Sequence, residues 1–147
     1  MKPFDTDVFA QRVLAVERHL ARVAQKLPDS AEKLAASSDE SDAVVLHLWL
    51  AVQITIDLSM ALCVRSGLGI PQTYRESFET LARAKVLDPD LAERLARAAG
   101  FRNVIAHAYE GLDMARVYEA AVHGHADLRA FLRVVRDHAS GDRTPTT

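Results

Sequence analysis

The chain has 147 residues, of which 49% are hydrophobic, 26% charged and 6% aromatic, with a formal net charge of −2. This length suits one domain with its own core, and the Ala-, Leu- and Arg-rich composition leans helical. The charge excludes a protein that coats nucleic acid non-specifically, so any RNA contact must be local, and the single cysteine excludes an internal disulfide or a cysteine zinc site.

The first predicted helix runs from about Asp5 to Lys26. Phe9, Val13, Val16, Leu20 and Val23 repeat at three and four residues and draw one apolar stripe, which Pro28 closes. The opening MKPFDTDVFAQRVL carries acids where a signal peptide needs an apolar run, so a cytoplasmic protein is expected. The connection DSAEKLAASSDESD has room for a short helical turn but shows no core face.

A second long helix is predicted from Ser37 or Ser38, where Ser37 and Glu40 have capping-box spacing. It continues to about Ser66 and stops at Gly67, with Gly69 and Pro71 beyond. Apolar residues surround much of its circumference, as suits the central helix of a bundle. His47, Gln53 and Asp57 interrupt it, which argues against a membrane span. His47 is expected to be partly buried with a local partner, and Cys63, in the run LSMALCV, to be a buried structural thiol.

A short helix follows Thr73, which pairs with Glu76 as a second capping box, and turns Phe78, Leu81 and Ala82 inward. The next opens at Asp88-Pro89, a capping carboxylate followed by proline at the first helical position. It is predicted to reach about Tyr109, with Gly111 as its C-cap. The last begins at Asp113, uses Val117, Ala121, Leu128, Leu132 and Val135 as its inner stripe, and is weakened in the middle by Gly124. The expected architecture is all-α: an up-and-down bundle of four main helices plus a short one, one domain over 1–139, with a disordered tail at 140–147.

Leu91, Leu95, Ala98, Arg102, Ile105 and Tyr109 are spaced by four, three, four, three and four, which is a helix-facing seam. Arg102 therefore stands where a packed residue belongs. An arginine there needs partners, such as Asp57, or a route to solvent, or a wet cleft to line. Asn103 and His107 are four apart and share a flanking side. Near a helix end His107 could equally cap carbonyls, so periodicity alone leaves a packing cluster and a functional cleft both open. His123, His125 and Asp127 suggest a metal, but residues two apart diverge on a helix and no third ligand is evident, so a solvated face is the expectation.

Arg102, four residues, His107, one residue, Tyr109 matches the R-x4-6-H-x-Y motif, and the stretch GFRNVIAHAYEGLD resembles the HepT toxin group of HEPN-domain proteins. PQTYRESFETLARAKVLDPDLAERLARAAG and QITIDLSMAL are similar to the segments that accompany that motif, so the resemblance spans roughly Leu46 to Val135. It implies a HEPN-like helical homodimer acting as a metal-independent endoribonuclease without a cofactor, the toxin of a type VII HEPN/MNT toxin–antitoxin system. Arg102 and His107 would be catalytic, with Asn103 and Tyr109 supporting RNA binding. It also implies a minimal nucleotidyltransferase antitoxin that transfers AMP to Tyr109 and assembles with the toxin as a hetero-oligomer. The alternative from another class is a non-catalytic helical module that docks a nucleotidyltransferase or a nucleotide. The titratable His107 favours catalysis, because docking alone has no need of it.

Overall fold

The computed structural model describes residues 6–107 and 113–141, as six helices. They are α1 (Thr6–Lys26), α2 (Ala31–Ala36), α3 (Ser38–Arg65), α4 (Tyr74–Arg83), α5 (Pro89–His107) and α6 (Met114–Gly141). The four long helices form the expected up-and-down bundle, and no strand occurs among the described residues.

Local chemistry sets most of the joints. The Ser37 hydroxyl accepts from the Glu40 N–H at 3.4 Å, and Thr73 Oγ1 accepts from the Glu76 N–H at 3.0 Å. Asp88 takes both the Asp90 and Leu91 N–H groups, at 3.1 and 3.2 Å, just ahead of Pro89 at the first helical position. α3 ends in a Schellman turn: Leu68 N–H reaches the Cys63 carbonyl and Gly67 N–H the Val64 carbonyl. Gly67, at φ 73°, supplies the left-handed residue this turn requires.

α3 touches every other helix and is the axis of the bundle. By length and composition its apolar stretch could cross a membrane, but half of that stretch is buried inside the protein. The main core gathers Val13, Val16 and Leu20 of α1, Leu58 and Leu62 of α3, Phe78 and Leu81 of α4, Leu95 of α5, and Phe131 and Val135 of α6. All five residues of the expected α6 stripe are buried, and α6 runs unbroken through Gly124. Cys63 is fully buried, and that burial, with the nearby Glu76 charge, pushes its thiol up to about 11.

Two expectations change. The polar connection after Pro28 holds the short helix α2, capped by Ser30, and it does present a core residue: Leu34 is fully buried against Val44, Val117 and Ala121. A single large apolar side chain in six residues has no periodicity to read. The partner of His47 is not local, because His47 Nδ1 lies 3.0 Å from His19 Nδ1 on α1. That hydrogen bond requires one of the two nitrogens to be unprotonated.

The His pair makes the fold sensitive to acid. Burial, then the charges of His47 and Arg18, hold the His19 pKa below its ordinary 6.5. The unfolded chain therefore binds this proton at higher pH than the folded one. The stabilisation is present above about pH 6.5 and is lost as pH falls through the lowered His19 value. Melting temperatures across this range are expected to drop on the acid side, and less so in His19→Asn. An equal drop in both proteins would remove His19 as the cause.

Candidate functional site

α5 carries the site on the extension of its core face. Leu91, Ala92, Leu95, Ala96 and Ala99 are buried, whereas Ala98 is only half-buried. The deep stripe therefore runs through Ala99, and Arg102, three residues on, continues it. The sequence seam is one residue off at Ala98, while Arg102 reaches the packed face through its contact with Gln53 on α3 and its buried Nε. The seam positions Ile105 and Tyr109 add nothing here, since the Ile105 side chain and all of Tyr109 lie outside the described residues.

Half-buried Arg102 is gripped from α3. Its Nη1 donates to Gln53 Oε1 at 2.6 Å, and its Nη2 donates to Asn103 Oδ1 at 3.3 Å. Gln53 Nε2 in turn donates to Asp57 Oδ1 at 3.1 Å. Asp57 Oδ2 stands 3.9 Å from Arg12 Nη1 on α1, with both of those side chains about half exposed. A polar chain thus runs Asn103–Arg102–Gln53–Asp57–Arg12 across three helices. Asp57 is the acid considered for Arg102 from the sequence, but it acts through Gln53 and makes no direct ion pair.

Gln53 is the residue that sequence reading undervalued. It was visible only as one interruption of an apolar helix, and a helix apolar all round does not show which way its polar residues point. Its four-residue spacing to Asp57 was the available signal.

Arg102 Nε is buried and has no hydrogen-bond partner among the described residues. Leaving a buried donor of a cation unpaired costs about 1–3 kcal/mol or more, which a stability-optimised core would avoid. The arrangement can present a fixed guanidinium, pre-oriented by two carbonyl oxygens, to an incoming anion.

The remaining predicted site residues divide cleanly. Asn103 is exposed and touches Arg102. His107 is the last residue of α5, its backbone set on the same helix, while its side chain is not among those described. Tyr109 and Gly111 lie outside the described residues. The His123–His125 segment is otherwise engaged: His125 Nδ1 lies 3.4 Å from the Ala121 carbonyl, and Asp127 accepts from Arg94 Nε at 3.0 Å. No group of three His, Cys, Asp or Glu side chains among the described residues is placed to hold a metal.

Comparison with known proteins finds nucleases similar to this chain. The family model described as Ribonuclease HepT-like matches residues 16–135. The chain is 26% identical over 130 residues to the mRNA nuclease HepT of Shewanella oneidensis, covering 88% of this chain and 97% of that protein. It is 32% identical over 73 residues, half of each chain, to the tRNA nuclease HepT of Aphanizomenon flos-aquae. Among solved structures, the tri-AMPylated Shewanella oneidensis HEPN toxin in complex with its MNT antitoxin superposes with a TM-score of 0.82 at 26% identity, over 89% of this chain and 98% of the toxin.

Proposed function

This chain belongs to the ribonuclease HepT-like family, and from that premise we propose that it is the endoribonuclease toxin of a toxin–antitoxin pair whose RNA-cleaving centre is built on Arg102 and His107. The observation that carries the assignment of the centre is Arg102 itself. It is held on the core stripe by Gln53 and Asn103, with one buried N–H left unpaired.

RNA brings its own nucleophile. The 2′-hydroxyl attacks the adjacent phosphorus, the bond to the 5′-oxygen breaks, and the products are a 2′,3′-cyclic phosphate and a 5′-hydroxyl. One proton must leave the nucleophile and one must reach the leaving oxygen. His107 suits either transfer near neutral pH. Arg102 supplies fixed donors to the non-bridging oxygens as charge builds on them, and Asn103 holds the guanidinium from its exposed side. A single imidazole cannot serve both transfers at once. In a homodimer whose two motifs face one cleft, His107 of one copy acts as base and His107 of the second as acid.

The antitoxin partner is a nucleotidyltransferase that silences the toxin by moving AMP from ATP to the Tyr109 phenol, releasing pyrophosphate. The added phosphates compete with RNA phosphate for Arg102. This reading is supported by the tri-AMPylated state of the Shewanella oneidensis toxin in its antitoxin complex. Co-expression with the transferase is expected to raise the intact mass by one AMP or a whole multiple. A Tyr109→Phe chain that gains the same mass would move the modification elsewhere.

The test of the cleavage chemistry is the identity of the new ends. Unmodified chain incubated with single-stranded RNA is expected to leave 2′,3′-cyclic phosphate and 5′-hydroxyl termini. Products with 5′-phosphate ends would mean that water, not the 2′-hydroxyl, is the nucleophile. A location in the cytoplasm, where RNA and ATP are both present, completes the proposal.

A further inference from the structure

A groove of about 770 Å³ lies between α3, α5 and α6, and nothing in the cleavage chemistry above makes use of it. On α3 and α5 its lining includes residues adjacent in sequence to Gln53 and Arg102. Val52 lines the groove beside Gln53 in sequence, and Phe101 lines it beside Arg102. Its walls carry three guanidiniums, Arg94 and Arg97 from α5 and Arg116 from α6, against the carboxylates of Glu119 and Asp127.

The three cations are not equally free. Arg94 is committed to Asp127 at 3.0 Å. Arg97 is 72% exposed and makes only a 3.4 Å contact to Glu93, an acid that Arg75 already holds at 3.0 Å. Arg116 is exposed and has no ion-pair partner among the described residues. Glu119 and Asp127 offset most of the charge of the lining, and Arg97 and Arg116 remain as its two exposed guanidiniums, one on α5 and one on α6. The floor between these cations is apolar and includes the half-buried ring of Phe101. The far side is open at Gly124, where an added Cβ would meet nothing within 4 Å.

Cations on two facing walls over an apolar, aromatic floor match a strand whose phosphates and bases are both accessible. Single-stranded RNA offers that combination, and a duplex withholds its base faces. We propose that this groove is the path along which single-stranded RNA reaches Arg102, with phosphates on Arg97 and Arg116 and a base against Phe101. The inference rests on the ribonuclease reading for its ligand but not for its residues.

The test uses unmodified His107→Ala chain, titrated with a fluorescein-labelled single-stranded RNA at several KCl concentrations and read by anisotropy. Adding Arg97→Gln and Arg116→Gln is expected to weaken binding about tenfold or more near 0.1 M salt. It should also flatten the slope of log K against log salt by about 1.4, the signature of two lost single-strand phosphate contacts. Phe101→Leu should weaken binding without changing the slope. Both arginines are exposed, and Glu93 keeps Arg75, so a fold change does not explain such a loss.

Unchanged affinity and slope in the double variant overturn the groove while leaving the ribonuclease reading in place if the wild type cleaves RNA. Groove-dependent binding by a wild type that never cleaves does the reverse. Failure to bind RNA at any salt overturns the groove as an RNA path. So does a double variant that binds RNA normally but loses its nucleotidyltransferase partner, which would make the groove a protein-docking surface.

Discussion

Arg102→Lys is expected to lower the rate of RNA cleavage about 100- to 1,000-fold while leaving the bundle folded, the range seen when one pre-positioned donor to a developing oxyanion is removed. The reason lies in the geometry of the fork. Arg102 gives one Nη to Gln53, the other to Asn103, and keeps Nε unpaired. A lysine ammonium keeps the charge but is one compact point at the end of a flexible stem, unable to hold both amides and still aim a donor at phosphate. Single-turnover cleavage with saturating RNA reads the effect directly, and a melting curve checks the fold. A lysine variant within about threefold of wild type would show that bulk charge, not the oriented guanidinium, is what matters at this position. Gln53→Leu offers a milder companion, because it removes the α3 carbonyl that fixes Arg102 without touching the guanidinium itself.

The largest expected effect on stability is at Phe78→Ala, about 3–5 kcal/mol. Phe78 is fully buried on α4 and meets Phe131 of α6 edge to face, ring centroids 5.8 Å apart at an interplanar angle of 79°. The substitution removes a ring's worth of burial, leaves a cavity between two helices, and forfeits the aromatic pair. At this chain length the loss corresponds to roughly 10 °C or more in Tm. α4 packs on both α3 and α5, the two helices that hold Gln53 and Arg102. Cleavage by the variant should therefore fail at a lower temperature than cleavage by the wild type. A loss below about 1 kcal/mol in urea unfolding would mean that the neighbours collapse into the space, contrary to the packing described.

Much of this fold could be read in the sequence because its boundaries are chemical. Ser37, Thr73 and Asp88 each occupy the cap position their side chains suggested, and Gly67 stops α3 in the left-handed conformation glycine favours. What escaped was chemistry without a periodic or compositional mark. α2 is pinned by Leu34 alone. α4 ends in a Schellman turn like that of α3, but its left-handed residue is Lys85, at φ 63°, and no glycine announces it. Contacts between distant helices also escaped, since His19 and His47 are 28 residues apart and the local sequence around His47 suggested only a nearby partner.

The site divides along the same line. The heptad spacing correctly put Arg102 on the packed face, and the resemblance of the motif gave the chemistry its name. The structure adds what neither contained: the Gln53–Asp57–Arg12 continuation, which ties the guanidinium to α3 and α1. Arg12 sits on the exposed side of an otherwise apolar stripe, so nothing in its own neighbourhood pointed toward the site. That chain explains how an arginine can be tolerated on a core stripe, because two of its nitrogens are satisfied and only Nε is left without a partner.

Whether Arg102 and His107 cleave RNA without a metal, as proposed above, is decided by one comparison. Purified, unmodified wild-type chain and its His107→Ala variant are incubated with the same RNA in EDTA, and the rates of fragment formation are measured. Wild-type cleavage that persists in EDTA and falls about 100- to 10,000-fold in the variant is the predicted result. Cleavage that EDTA abolishes, or that His107→Ala leaves intact, would contradict it.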